Sequence, residues 1–346
     1  MKKSYELDMC NGPILGKILV FAIPLMISGI LQLLFNAADI IVVGRFTGSQ
    51  ALAAVGSTSA LINLIINLFI GVSVGANVVV ARNYGAKDYD GIHGAVHTSV
   101  LTAIWGGIIL IFVGILLARP MLEMMGTPED VIDLSVLYMR IYFVGMPAFM
   151  MYNFGAAILR AIGDTKRPLY FLTLSGVVNV VLNLFFVIVF HMGVAGVALA
   201  TIISQAISAF LIILCLMKMD GPCHLDFKHL KFHPEQLKSM LRIGLPAGLQ
   251  GAIFSISNVL IQSSVNSFGS QVMAGNTAAG NIEGFVYNSM NAVYQTSLSF
   301  TSQNMGAKKF DRINKILFQC LLVVTAIGLV TVSYTHLRAH ETELHL

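Results

Sequence analysis

Residues 19–43 read LVFAIPLMISGILQLLFNAADIIVV, and Asp39 is the one ionisable side chain among them. An apolar run of that length crosses the ~30 Å hydrocarbon core of a bilayer as an α-helix rising 1.5 Å per residue. Nine such spans can be placed, at 14–43, 52–81, 94–117, 131–157, 168–190, 193–217, 239–267, 273–303 and 312–333. Within a bilayer only helices and closed barrels satisfy their own backbone polar groups. Barrel strands alternate apolar and polar residues over about 10 positions, which these continuous runs do not. Charged residues make up 11% of the chain, against roughly 25% in soluble domains. The fold expected is therefore an all-α integral membrane protein. The first, second, seventh and eighth spans are long and expected to tilt or bend, with Pro24 and Pro246 as kink sites in the first and seventh.

Alternate loops carry 17 of the 21 Lys and Arg residues, whereas the loops on the other side carry only Arg45 and Arg119. By the positive-inside rule this places the N-terminus in the cytoplasm of a multi-pass protein of the cell inner membrane. Residues 1–13 lack a small-residue cleavage motif and read as a short cytoplasmic arm. The basic residues follow topology, and no nucleic-acid partner is expected. The four cysteines are scattered without a CxxC pair, which points to neither a disulfide framework nor a zinc site.

The chain also repeats itself. AIPLMISG near Pro24 faces GLPAGLQG near Pro246, GSQALAAVG (48–56) faces GSQVMAGN (269–276), and RNYGAKDYD (82–90) faces QNMGAKKFD (303–311). Pro24 and Pro246 lie 222 positions apart, and Asn83 and Asn304 lie 221 apart. The repeat unit is six helices, and an even number restores orientation, so the halves are parallel repeats about an axis along the membrane normal. This predicts a first lobe at 14–217, a cytoplasmic linker at 218–238 and a partial second lobe at 239–332. Only about nine helices are present, so the second lobe is expected to be incomplete and the shortened chain not to transport by itself. Residues 333–346, SYTHLRAHETELHL, lose the apolar period and read as a non-native tail. His336 and His340 there share helical spacing, without further support for a metal site.

Of 17 acidic residues, only Asp39 and Glu283 fall well inside spans. A carboxylate at mid-bilayer costs about 2.5–3.5 kcal/mol on insertion scales and normally faces a bundle interior or a wet cavity. Burial penalises the charged form, so such a group is suited to exchange a proton or hold a cation. Possible partners for Asp39 are Asn36, one turn earlier, Asn179 and Asn183 at i, i+4 in the fifth span, and Thr201 in the sixth. In the second half Asn258, Gln262, Glu283, Tyr287 and Asn288 are candidates for a substrate cavity, with Asn291 and Gln295 continuing the stripe of Asn288. Hydrogen-bonded glue between helices is the competing role for each of these polar residues. The 17 methionines, 21 phenylalanines and 10 tyrosines fit membrane packing or a pliable cavity wall.

No phosphate loop, GxSxG or HExxH is present, so the chain is not expected to be an enzyme. Gly71 and Gly75 have GxxxG spacing, which suits close helix packing.

The run AADIIVVGRFTGSQALAAVGSTSALINLIINLFIGVSVGANVVVARNYGAKD resembles the first two helices of the multidrug and toxic compound extrusion (MATE) transporters. GLPAGLQGAIFSISNVLIQSSVNSFGSQ and FTSQNMGAKKFD resemble the seventh and eighth helices of bacterial members. The resemblance implies two six-helix lobes around a central cavity and export of small cationic, amphipathic compounds in exchange for H+ or Na+. It implies no other cofactor, and the protein is expected as a monomer in the bilayer. Pro24 and Asp39 match the family's first-helix proline and coupling aspartate, and Asn179 and Thr201 match polar residues that join that aspartate in a cation site. Asn183 stands where many relatives carry a second aspartate, which removes one negative charge and leaves H+ or Na+ open as the coupling ion. A flippase for lipid-linked oligosaccharides is the alternative. It would need a basic cavity, and Arg140 is the one cation inside the spans.

Overall fold

The computed structural model describes residues 5–266 and 270–343; the side chains described exclude those of residues 49, 60, 259, 262, 263, 265, 266, 270–282 and 331–343. The described residues form ten α-helices and no strand: α1 Ile14–Phe46, α2 Ser49–Ala86, α3 Tyr89–Met124, α4 Glu129–Val144, α5 Met146–Ala161, α6 Lys166–Leu184, α7 Gly193–Met217, α8 Pro234–Asn266, α9 Ser270–Gly306 and α10 Phe310–Glu343. Each expected span has its helix. The fourth is divided into α4 and α5, which meet at a 48° bend. Pro147, near the start of α5, lacks an N–H with which to continue the α4 ladder. The fifth span ends in a π turn at Phe185–Val189. Neither Pro24 nor Pro246 breaks its helix. Beside Pro24, the Ser28 hydroxyl donates to the Pro24 carbonyl at 2.8 Å.

Among the described residues six helices are long and apolar enough to cross a membrane, and the bent α4–α5 pair makes a seventh. α8 and α9 fill the seventh and eighth expected spans. Their small and polar residues pack against other helices, the usual composition of helix contacts in lipid. α10 stays helical to Glu343, through much of the segment that the loss of apolar period set apart.

Close approaches through glycine join the two halves. A methyl group at Gly71 would overlap the Gly248 backbone, and one at Gly75 the Met240 carbonyl. A methyl at Gly248 would lie 2.5 Å from the Leu68 carbonyl oxygen. Two GxxxG faces, Gly71–Gly75 and Gly244–Gly248, thus press backbone on backbone. Further along the same pair of helices, Asn67 Nδ2 donates to Ser255 Oγ at 2.8 Å. The contact between α1 and α9 is its counterpart in the repeat: Phe21 meets Phe300 edge-on at 5.6 Å, and Gly29 faces Asn288.

The NYGAK and NMGAK segments meet reciprocally. A methyl at Gly85 would overlap the Gln303 carbonyl, and one at Gly306 the Arg82 carbonyl. Lys87 and Lys308, which end α2 and α9, both adopt the left-handed conformation, with φ of 56° and 57°. That conformation is uncommon for a residue with a Cβ, so its appearance at equivalent positions is a structural trace of the duplication.

Candidate functional site

Asp39 lies in the last third of α1, half-buried against α6. Phe35, one turn earlier, packs its ring onto Gly176 so closely that a methyl at Gly176 would overlap it. Gly176, Asn179 and Asn183 fall at i, i+3 and i+7, one stripe of α6. The close approach at Gly176 therefore brings the carboxylate of Asp39, one turn further along α1, to the amide of Asn183, two turns further along α6.

The Asn183 amide donates to Asp39 Oδ1. Its nitrogen also lies 3.5 Å from Asn179 Oδ1. Asn179 Nδ2 in turn reaches Thr201 Oγ1 on α7 at 3.5 Å, and the Thr201 hydroxyl donates to the Val197 carbonyl at 3.0 Å. Asn179 and Asn183 are buried, and Asn183 Oδ1 has no hydrogen-bond partner among the described residues. Among the same residues no cationic side chain pairs with Asp39.

Helix α4 closes another side. Tyr138 and Tyr142 stack at 6.0 Å and both lie within electrostatic range of Asp39. Gln205, one turn after Thr201, lies beside Tyr142 and keeps its Oε1 buried without a partner among the described residues. Sequence reasoning missed these three residues, although the i, i+4 spacings of Tyr138–Tyr142 and Thr201–Gln205 were available signals. The result is one carboxylate, two unpartnered amide oxygens and a hydroxyl set among apolar helices. Such a donor set can take up a proton or surround a small cation.

Asn36 is exposed, and among the described residues no hydrogen bond ties it to this cluster. The candidates of the second half are not assembled in the same way. Asn258 and Glu283 are exposed, and the Gln262 side chain lies outside the described residues. Tyr287 stacks parallel on Phe254 at 6.1 Å, both rings exposed. Asn288 donates to its own helix at Gly284 (2.8 Å) and abuts Gly29 of α1, a packing contact between halves.

A family model described as MatE matches residues 24–185 and 246–341. The probable multidrug resistance protein YoeA of Bacillus subtilis is 30% identical over 329 residues, covering 93% of this chain and 71% of that protein. The multidrug export protein MepA of Staphylococcus aureus is 24% identical over 264 residues, covering 76% of this chain and 58% of the relative. A solved multidrug resistance MATE family transporter in its outward-facing conformation superposes with a TM-score of 0.90 at 26% identity, covering 99% of this chain and 76% of that one.

Proposed function

Because the chain belongs to the MATE family of bacterial membrane transporters, we propose that it exports small cationic, amphipathic compounds in exchange for an inward-moving cation, with Asp39 as the shared switch. The observation that carries this reading is an aspartate inside a spanning helix, hydrogen-bonded by Asn183 and paired with no cation among the described residues. Ionised, Asp39 attracts a cationic substrate. Protonated, it loses that attraction and the substrate leaves. Coupling of this kind is reciprocal, so the substrate weakens proton binding as much as the proton weakens substrate binding.

The donor set favours H+ over Na+. One carboxylate supplies a single negative charge, and Asn183 presents its N–H, not its carbonyl oxygen, to that group. A sodium ion would need several oxygens turned inward at once. The α2–α8 and α1–α9 contacts hold the halves together at the end where the basic loops lie, and Asp39 lies beyond them. Alternating access then requires those contacts to part while the outer ends close. With this reading the basic loops face the cytoplasm of a cell-membrane protein.

A cationic fluorophore titrated onto the purified protein tests the switch. Its affinity should fall on acidification, and sodium chloride should do no more than potassium chloride. Affinity that is flat with pH, or that responds to sodium alone, counts against the proton as the exchanged ion.

A further inference from the structure

At the basic end, residues 5–13 do not extend away from the bundle but lie across both halves. Toward the first half, the Tyr84 hydroxyl donates to Glu6 Oε2 at 3.1 Å. The Leu7 backbone seats on Gly163, whose φ of 97° and lack of a side chain make room for it; a methyl there would lie 2.5 Å from the Leu7 carbonyl oxygen. The Tyr5 ring carries the Arg167 guanidinium at 5.3 Å. Toward the second half, the buried Asn304 donates to the Met9 carbonyl at 3.1 Å. Lys309 Nζ donates to the Cys10 carbonyl at 3.1 Å and to Asn11 Oδ1 at 2.5 Å. Arg312 reaches the Gly12 carbonyl at 3.1 Å.

Met9 is fully buried in a cluster with Ile18 and Phe21 of α1, Val293 and Phe300 of α9, and Ile316 of α10. The segment between the anchors has its own fold: the Asp8 carboxylate accepts from the Cys10 and Asn11 amides, and Lys17 Nζ donates to the Asp8 and Asn11 carbonyls. Beneath it runs the Gly85–Gln303 and Gly306–Arg82 seam, where α2 and α9 touch backbone to backbone.

We propose that residues 5–13 form a strap that clasps the two halves at the basic end, and that its release gates the opening of the cavity on that side. Its two sets of anchors sit on elements that belong to different halves of the repeat, so the halves cannot separate there while both sets hold. The buried Met9 side chain and the backbone acceptors make the clasp a packed contact, distinct from a surface ion pair that solvent would screen. The inference rests on the alternating-access reading, but its test needs no substrate and no transport.

Hydrogen–deuterium exchange on the detergent-solubilised protein compares wild type with Lys309→Ala/Arg312→Ala and, separately, with Gly163→Ala. The first variant removes anchors on the second half, and the second displaces Leu7 on the first half. Both should raise exchange roughly tenfold at the seam, residues 79–86 and 300–306, as sub-global opening there becomes easier. Exchange around Asp39 and Asn183 should stay as in wild type. Seam exchange that is unchanged in the Lys309→Ala/Arg312→Ala protein, whether or not the strap itself loosens, overturns the proposal. Raised seam exchange together with binding of a cationic fluorophore that does not change with pH would sustain the strap and defeat the transport reading instead.

Discussion

Replacing Gly176 by alanine should uncouple Asp39 from Asn183 without touching either residue. Carbon atoms in contact lie about 3.5–4.0 Å apart, and the added methyl would overlap the Phe35 ring. Relief requires α1 and α6 to separate by about 1–2 Å at this point. Asp39 follows Phe35 by one turn of α1, and Asn183 follows Gly176 by two turns of α6, so the carboxylate and the amide move apart together. A further ~1.5 Å takes such a pair beyond hydrogen-bond range. Loss of a hydrogen bond to a charged acceptor costs roughly 1.5–3 kcal/mol, or about 10- to 150-fold in affinity. Binding of a cationic fluorophore to Gly176→Ala should fall by that factor in the pH range where wild type binds well. Phe35→Ala/Gly176→Ala should recover much of the loss, because the ring that the methyl strikes is gone, with a coupling of about 1 kcal/mol or more. Wild-type affinity in Gly176→Ala, or no recovery in the double variant, would refute the claim that this contact sets the register of the site.

Asn183→Asp adds the second negative charge, and sodium should then stimulate substrate efflux in reconstituted vesicles where it does little for wild type. Gly71→Leu should lower thermal stability in detergent by the equivalent of about 1–3 kcal/mol, the usual cost of forcing extra carbons into a packed contact; an unchanged melting temperature would contradict backbone contact between α2 and α8. Burial opposes ionisation of Asp8, but hydrogen bonds from Asn11 and Cys10 and the nearby Lys17 ammonium outweigh it and hold the carboxyl below its ordinary value of 3.8. A depressed carboxyl contributes stability above its unfolded value and loses it as pH falls through the folded one. Protection of residues 5–13 from deuterium exchange, taken relative to the intrinsic amide rate at each pH, should therefore be flat across neutral pH and fall only below about pH 4.

Much of the fold was legible because helices in lipid announce themselves by length, and each of the nine apolar runs has its helix or, in the fourth, its bent pair of helices. NYGAK and NMGAK, legible in the sequence only as a repeat, meet in a reciprocal contact at Gly85 and Gly306, where the absence of a Cβ lets the backbones touch. Asn183 meets Asp39, and Asn179 and Thr201 continue the line of polar contacts beyond it. Other features depend on packing that periodicity does not encode. Pro147 divides the fourth span, yet Pro24 and Pro246 leave α1 and α8 continuous. Asn36 shares a face with Asp39 within α1, but which part of that face meets α6 is decided by Phe35 and Gly176, two apolar positions. The second half offered as many polar residues as the first, yet Asn288 serves a helix contact and Glu283 is exposed. The strap was invisible because Met9 and Asn304 lie nearly 300 positions apart.

Substrate-driven proton release, measured in vesicles reconstituted with the protein expressed from its source locus, puts the question to Asp39 directly. Adding a cationic substrate on the side from which it is exported should release protons in wild type and release none in Asp39→Asn, which preserves shape and hydrogen bonding but cannot titrate. Proton release by Asp39→Asn at the wild-type rate would show that the charge is traded elsewhere.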